Sequence, residues 1–157
     1  MPTPRRAARL VLLDPDNRVL LLKVINPTRG VAYWVTPGGG LNGGESHADA
    51  ARRELEEETG LQGADVGPAL WRNRRFFRLH GEVFAQEEIF HLARTAPFDV
   101  DMSGLEEWEK ETHRGHRWWS LEEIEATEER VYPRGLGALL RGLLDDGPPA
   151  EILDIEG

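Results

Sequence analysis

Three glutamates, Glu54, Glu57 and Glu58, are spaced three and four residues apart. In a helix, residues at these spacings share one face, so the carboxylates would lie close together. Each like-charged pair costs roughly 0.2–0.5 kcal/mol of helix stability, and Glu57 and Glu58 would also face the negative end of the helix dipole. A bound cation would remove both penalties, and carboxylates at this spacing suit Mg²⁺ or Mn²⁺. The alternative interpretation is a solvated acidic face.

The local sequence predicts the helix that would carry these carboxylates. Ser46 is a favourable N-cap, and Asp49 three residues later gives a near capping box. Gly60 stands where a left-handed glycine would end the helix, with Leu61 placed to pack back on Leu55. These signals predict a helix of about 13 residues that docks on another layer through a narrow apolar stripe.

Five glycines precede the predicted helix, at positions 38, 39, 40, 43 and 44. Glycine lets the backbone approach a ligand closely and adopt torsion angles that other residues avoid. Alone, such a run is a weak signal. Beside the acidic helix, it predicts a glycine-rich loop at a ligand site.

The loop and the helix together contain a longer pattern. Its fixed positions are Gly39, Glu45, Arg53, Glu54, Leu55, Glu57, Glu58, Gly60 and Leu61. They match every fixed position of the Nudix box, so the chain resembles the Nudix hydrolases. The resemblance implies an α/β fold, the Nudix-type α/β/α sandwich, in which a mixed β-sheet carries the box helix on one face and a C-terminal helix on the other.

The resemblance also implies a reaction and a cofactor. Nudix hydrolases cleave a nucleoside diphosphate linked to another group X, with water attacking a phosphorus. A divalent cation, Mg²⁺ or Mn²⁺, neutralises the phosphate oxygens and activates the water. Carried over by position, Glu54, Glu57 and Glu58 would be metal ligands, and the carbonyl oxygen of Gly38 would be a further ligand.

Other box positions would support this cluster. The resemblance implies that Arg53 holds the metal ligands in place through an ion pair with Glu45 or Glu57, because groups around a metal site orient its ligands. Gly39, Glu45 and Gly60 are assigned structural roles in the box.

Residues outside the box leave the substrate open. Some ADP-ribose hydrolases carry a proline shortly after the box, and some diadenosine polyphosphate hydrolases carry a tyrosine. Here those positions fall near Phe76, Phe77 and Arg78, so neither mark is present. The extra motifs of coenzyme A and NADH hydrolases are also not visible. Nucleoside triphosphates, including damaged ones, and nucleotide sugars are the open candidates.

Residues 69–79 read as a strand in which arginines alternate with aromatic residues. Arginine pairs with phosphate oxygens and aromatic rings stack on bases, so Arg72, Arg74, Arg75 and Phe77 are candidate substrate-binding residues. The alternative interpretation is a strand whose arginines are solvated.

The polar segment 96–115 has no sustained period and is predicted to be a functional or mobile loop. In the family, a Glu from such a loop serves as an extra ligand or general base. Glu106, Glu107, Glu109 and Glu111 compete for this role, with Glu87 and Glu88 as further alternatives. We select Glu111 for its distance from the following strand, and we expect His113 and His116 to be solvated loop residues.

The rest of the chain supplies the elements of the sandwich. Strands are predicted at 8–13, 18–25, 33–36, 83–93 and 117–119, and helices at 121–127 and 133–144. The first two strands form a hairpin. Trp34 is assigned to packing in preference to base stacking. The tail 145–157 is predicted to be loosely held.

Composition limits the partners. With 157 residues, the chain fits a single domain over 1–157. A formal net charge of −9 argues against DNA or RNA, since backbone phosphates are bound by basic patches. The sequence contains no run of 18 apolar residues, the length that a membrane span needs, so we expect a cytoplasmic protein. We expect its partner to be a small nucleotide substrate. A homodimer is left open.

Two rival functions on the same fold fit the sequence less well than a hydrolase. An isopentenyl diphosphate isomerase would need a catalytic cysteine, and the chain has none. A non-catalytic nucleotide sensor is expected to have lost acids of the box and gained a DNA-binding domain. It is retained as the alternative to a hydrolase.

Overall fold

The computed structural model describes residues 4–26 and 29–156, and of Phe77 and Leu79 it describes the backbone. Within these ranges the chain forms nine strands, four α-helices and a short 3-10 helix at Met102–Gly104. The strands are β1 (Arg5–Leu13), β2 (Val19–Asn26), β3 (Val31–Val35), β4 (Gly38–Gly40), β5 (Ala69–Leu79), β6 (Glu82–Arg94), β7 (His113–Trp119), β8 (Val131–Tyr132) and β9 (Leu153–Ile155). The helices are α1 (His47–Thr59), α2 (Glu107–Lys110), α3 (Leu121–Ala126) and α4 (Leu136–Asp146).

The strands form one mixed sheet in the order β8-β3-β2-β1-β6-β5-β9, with β4 added to β1 and β7 added to β2. β1 runs parallel to β6 and antiparallel to its other neighbours. The predicted hairpin between β1 and β2 is confirmed, but the two strands pair at Leu13 and Val19, beside the turn, and then separate. The sheet therefore divides into a β1 half and a β2 half, and the space between these halves is called the cleft below.

β1 and β2 are buried on both faces, as their nearly continuous apolar sequences require. On one face, Val11, Leu13, Val19 and Leu21 pack with α3 and α4; on the other, Leu10, Leu12 and Leu20 pack with α1. Helices thus cover both faces of the sheet, and the predicted α/β/α sandwich is confirmed. Trp34 is 7% exposed and packs edge-on against Trp119 with ring centroids 5.2 Å apart, as expected from its assignment to packing.

The box helix has the predicted ends. The hydroxyl of Ser46 accepts a hydrogen bond from the backbone N–H of Asp49, and Gly60 adopts φ 79° at the C-terminal end. Residues 38–40 differ from the prediction, because they form strand β4 on the edge of β1 and not a free loop. The backbone of residues 38–40 is therefore fixed by its pairing with β1.

Two other segments also differ from their predictions. The segment 96–115 contains the 3-10 helix, α2 and the start of β7, so it is more ordered than a mobile loop. The tail is not loose at Leu153–Ile155, because this segment pairs in parallel with β5 at Trp71, Arg72 and Asn73. None of the helices in the described ranges has the length and apolar character needed to cross a bilayer.

Candidate active site

A cavity of about 520 Å³ lies in the cleft beside the N-terminal strand and the box helix. Its lining includes Glu54, Glu57 and Glu58 of α1, together with Glu109 of α2 and His113 of β7. We call it the acidic cavity. The structure therefore brings the three box glutamates to one cavity, as their helical spacing predicted.

Glu58 lies deepest in the acidic cavity, with 2% of its surface exposed. Its Oε1 accepts a hydrogen bond of 2.8 Å from the backbone N–H of Gly38, and its Oε2 lies 3.4 Å from Nε2 of His113. Burial raises the pKa of Glu58, and these two contacts offset only part of that effect. The free carboxylate is thus destabilised at this position unless a further cation binds.

His113 is positioned by α2 and faces Glu58. Its Nδ1 lies 2.9 Å from the carbonyl oxygen of Glu109, and since a carbonyl only accepts, Nδ1 carries the proton. Nε2 then points to the carboxylate of Glu58. Burial alone would lower the pKa of His113, but its hydrogen bonds to Glu58 and to the Glu109 backbone raise the pKa above its ordinary value. We expected this histidine to be solvated; that was wrong, since its side chain is 11% exposed.

Glu54 and Glu57 also line the acidic cavity. Glu54 is 9% exposed, and burial raises its pKa even though Nη1 of Arg53 lies 3.0 Å from its Oε1. Burial and the nearby charge of Glu54 raise the pKa of Glu57. Burial is the largest cause of the raised pKa of all three carboxyl groups, so their charged forms lack the solvation that water would give them.

Arg53 connects the box helix to the backbone before it. Its guanidinium donates to both carboxylate oxygens of Glu45 at 2.9 and 3.0 Å and to the carbonyl oxygen of Gly40 at 2.9 Å. Its distance to Oε2 of Glu57 is 3.7 Å. Hydrogen bonding to Glu45 raises the pKa of Arg53 and lowers the pKa of Glu45. Of the two predicted partners, Glu45 makes the closer ion pair.

Gly38 supplies backbone to the acidic cavity. Its carbonyl oxygen accepts a hydrogen bond of 3.2 Å from Nη1 of Arg9, and Nε of Arg9 donates to Glu88 at 3.0 Å. A carbonyl oxygen has two lone pairs, so one is left for the role of metal ligand that the sequence predicted.

The donor set fits a hard divalent cation. Glu58, Glu109 and His113 each offer one ligand atom, and these atoms lie within 4.8 Å of one another. Glu54 and Glu57 add two carboxylates from the same cavity. The carboxylates supply the oxygen ligands that Mg²⁺ and Mn²⁺ prefer, and these ions keep positions free for water and substrate phosphates.

Glu111 is not part of this arrangement. It is exposed at the C-terminal end of α2, and it does not line the acidic cavity. Glu109 is 6% exposed and does line it. Because α2 is helical, Glu109 and Glu111 project to opposite sides although they are only two residues apart. Their distance from the following strand along the sequence therefore could not show which of them enters the cavity. The structure therefore favours Glu109 over our selection of Glu111.

The arginines of strand β5 lie on two different surfaces. Arg72 bonds to Asp154 of β9, with Nε 2.6 Å from Oδ1, and Nε of Arg74 lies 3.0 Å from Glu87. Neither arginine lines a cavity described here, so the solvated interpretation fits these two better. Arg75 lines a second cavity. The side chain of Phe77 lies outside the described residues.

Comparison with known protein families agrees with the geometry. The model of the NUDIX domain matches residues 3–139. The chain belongs to the Nudix family. The predicted enzyme class, a Nudix pyrophosphohydrolase, is confirmed by this match and by the relatives below.

Two curated relatives illustrate the range of the Nudix family. The asymmetrical bis(5'-nucleosyl)-tetraphosphatase of Rattus norvegicus is 27% identical over 108 residues, which make up 69% of each chain. An RNA pyrophosphohydrolase of Pelagibacter ubique is 37% identical over 62 residues, 40% of this chain and 38% of that protein. The second match covers well under two thirds of the relative.

Solved structures share the fold. An Ap4A hydrolase of C. elegans in a binary complex superposes with a TM-score of 0.62 and 24% identity, over 89% of this chain and 95% of that chain. The NUDIX domain of Shewanella oneidensis NrtR, solved with ADP ribose, gives a TM-score of 0.67 and 18% identity, over 92% and 90%. At these identities the likeness establishes the fold alone.

Proposed function

We propose that the protein is a divalent-metal-dependent hydrolase that cleaves a phosphoanhydride bond in a nucleoside diphosphate linked to another group X. The observation that carries this proposal is the convergence of Glu58, Glu109 and His113, whose ligand atoms lie within 4.8 Å of one another in the cavity that Glu54 and Glu57 also line. A cluster of this charge destabilises the apo protein, and a cation relieves that cost.

Glu54, Glu57 and Glu58 would hold Mg²⁺ or Mn²⁺. When bound, the ion neutralises phosphate oxygens, orients the diphosphate and favours attack by water. Residues of the chain position the carboxylates that would bind the ion. Arg53 fixes the carboxylate of Glu54 from one side, and the Gly38 N–H fixes Glu58 from within the sheet.

The reaction forms a bond between a water oxygen and one phosphorus, and it breaks the bond from that phosphorus to the bridging oxygen. The water loses a proton, and the departing phosphate leaves with the bridging oxygen. We assign the proton acceptor to Glu109, because it is the buried acid from outside the box in this cavity. His113 acts as a positioning residue that holds Glu58.

The relatives suggest compounds to test first. The rat relative is named as a tetraphosphatase of bis(5'-nucleosyl) compounds, and its match covers 69% of this chain. Dinucleoside polyphosphates therefore join nucleoside triphosphates and nucleotide sugars in the panel of candidate substrates.

A product-chromatography screen tests the proposal. The wild-type protein is incubated with the panel in the presence of Mg²⁺, Mn²⁺ or EDTA, beside Glu57→Gln and the control Glu56→Gln, whose exposed side chain lies outside the acidic cavity. We expect metal-dependent cleavage of at least one compound by wild type and Glu56→Gln, and its loss in Glu57→Gln. Tight binding of a nucleotide without cleavage under any metal condition would overturn the proposal in favour of a sensor.

A further inference from the structure

A second cavity of about 460 Å³ adjoins the acidic cavity in the cleft. The two cavities share Arg9, Tyr33 and Val35, which stand at their boundary. A substrate held at the metal ligands would therefore extend past Arg9 into this second space.

The second cavity is strongly basic. Its lining includes five arginines, Arg9, Arg29, Arg75, Arg130 and Arg134, against the single carboxylate of Glu88. We call it the basic cavity. In a chain with a formal net charge of −9, such a cluster runs against the overall charge. The cleft thus has a negative end suited to cations and a positive end suited to anions.

Three of these arginines have no carboxylate partner within the part of the chain that the structure describes. Among the residues that the structure describes, none forms an ion pair with the side chains of Arg29, Arg130 or Arg134. Arg72, Arg74 and Arg141, by contrast, each pair with a carboxylate. Guanidinium groups bind phosphate through paired N–H donors, so the unpaired arginines of the basic cavity suit phosphate oxygens.

The fold gathers these arginines from distant parts of the sequence. Arg130 and Arg134 flank β8, which pairs in parallel with β3. Arg75 lies on β5 in the other half of the sheet. Because the cleft separates the two halves, arginines from both sides face the same space.

Asn73 provides a second, independent sign of a ligand. It is 4% exposed in the lining of the basic cavity, and its Nδ2 lies 3.4 Å from Oε1 of Glu88. Its Oδ1 is buried and has no hydrogen-bond partner among the described residues. A buried acceptor without a partner is costly, so this atom suits an N–H or O–H donor on a ligand. Nucleosides carry such donors on the base and the ribose.

We propose that the basic cavity binds a phosphorylated part of the substrate, so that preferred substrates carry a phosphate beyond the diphosphate that is cleaved. This inference rests on the proposed hydrolase function. A nucleotide sugar would leave the arginines without countercharge. The additional phosphate belongs either to a longer polyphosphate chain or to a phosphate on the ribose, and both present the same oxygen anions.

The test compares three compounds under Mg²⁺: ADP-ribose, ADP-ribose 2'-phosphate and diadenosine tetraphosphate. Kinetics are measured for wild type, for Arg130→Gln/Arg134→Gln and for the control Arg94→Gln/Arg141→Gln, which removes the same charge at exposed positions outside both cavities. We expect the first double variant to raise KM about tenfold for a compound with an additional phosphate, with a smaller effect at high salt. KM for ADP-ribose and all values for the control should stay near wild type.

Two of the compounds separate the two sources of phosphate. ADP-ribose 2'-phosphate carries the additional phosphate on the ribose, and diadenosine tetraphosphate carries it in a longer polyphosphate chain. Equal effects of Arg130→Gln/Arg134→Gln on all three compounds, or no effect, would overturn the inference. If the double variant lacks a cooperative melting transition, Arg134→Gln replaces it.

A binding measurement keeps this inference distinct from the proposed function. Calorimetry in EDTA with inorganic tripolyphosphate reports on the basic cavity without any turnover. We expect binding by wild type and by the control, and weaker binding by the cavity variant. If wild type cleaves no compound but this pattern holds, the hydrolase proposal fails while the anion site stands. If cleavage occurs and tripolyphosphate binds all three proteins alike, the anion site fails alone.

Discussion

The carboxyl carbon of Glu54 lies 2.6 Å from the point that a Cβ atom on residue 39 would occupy. Gly39 is therefore required by the side chain of a predicted metal ligand. Its neighbour Gly38 is required by the backbone, because it adopts φ 145° and a Cβ there would lie 2.1 Å from the carbonyl oxygen of Ala8. A side chain is thus excluded at these two adjacent positions for different reasons, by a site side chain at Gly39 and by the neighbouring backbone at Gly38.

Alanine at these two positions should separate stability from activity. In Gly39→Ala the clashing group is the end of a flexible side chain, so we expect a melting temperature near that of wild type and a rate at least about tenfold lower as Glu54 is displaced. In Gly38→Ala we expect a loss of about 1–3 kcal/mol in the free energy of unfolding. Denaturant titration and steady-state kinetics measure both. A Gly39→Ala protein with full activity would show that Glu54 needs no fixed position.

Neutralising the box glutamates should remove activity without unfolding the protein. We expect Glu57→Gln and Glu58→Gln each to lower kcat at least about 10²-fold, the scale of one lost electrostatic element. In EDTA their melting temperatures should equal or slightly exceed that of wild type, because repulsion between carboxylates is relieved. Glu56→Gln, changed on the exposed side of the same helix, is the control.

Added Mg²⁺ should raise the melting temperature of wild type and of Glu56→Gln, since an ion that binds the folded state stabilises it. The two cavity variants should gain less. Strong destabilisation of both variants in EDTA would instead mean that the acidic cluster is structural.

A half-buried histidine at the start of α1, His47, should make stability depend on pH. Burial lowers the pKa of His47 below its ordinary value, and His91 and Arg6 add to this effect while Glu87 opposes it. As pH falls below about 6.5, the unfolded chain binds the proton more readily than the folded chain, so the free energy of unfolding should fall. His47→Gln should lose this part of the pH dependence.

The measurement is a denaturant titration of wild type and His47→Gln between pH 5 and 8. His116→Gln, which removes an exposed imidazole from β7, serves as the control. Parallel curves for wild type and His47→Gln across this range would contradict the expected role of His47.

The parts of the site that lie on one helix could be predicted from sequence. Ser46 and Gly60 mark the ends of α1 through local capping, and the spacing of Glu54, Glu57 and Glu58 fixes their common face through helix geometry. Both effects act within a few residues. The nearly continuous apolar sequences of β1 and β2 likewise account for a sheet that is covered on both faces.

The remaining parts depend on contacts between distant segments. His113 meets Glu58 because β7 pairs with β2, a pairing that no local pattern indicates. The arginines of the basic cavity converge only after β8 has joined β3. The sequence predicted that the arginines of β5 bind substrate. In the structure, Arg72 and Arg74 pair with carboxylates, and of these three arginines only Arg75 lines the basic cavity.

The choice between Glu109 and Glu111 is the most direct test of the structure against the sequence. Glu109 is buried in the acidic cavity, and Glu111 is exposed two residues later. If Glu109 accepts the proton from water, Glu109→Gln should lower kcat by about 10²–10⁴-fold under saturating substrate, whereas Glu111→Gln should leave kcat near wild type. The loss should persist at saturating Mg²⁺ if Glu109 acts on the proton, and it should shrink as Mg²⁺ is raised if Glu109 acts mainly as a ligand. Both variants are therefore assayed across a series of Mg²⁺ concentrations and pH values. A large loss in Glu111→Gln with an intact Glu109→Gln would place the reacting acid outside the cavity and reverse the assignment.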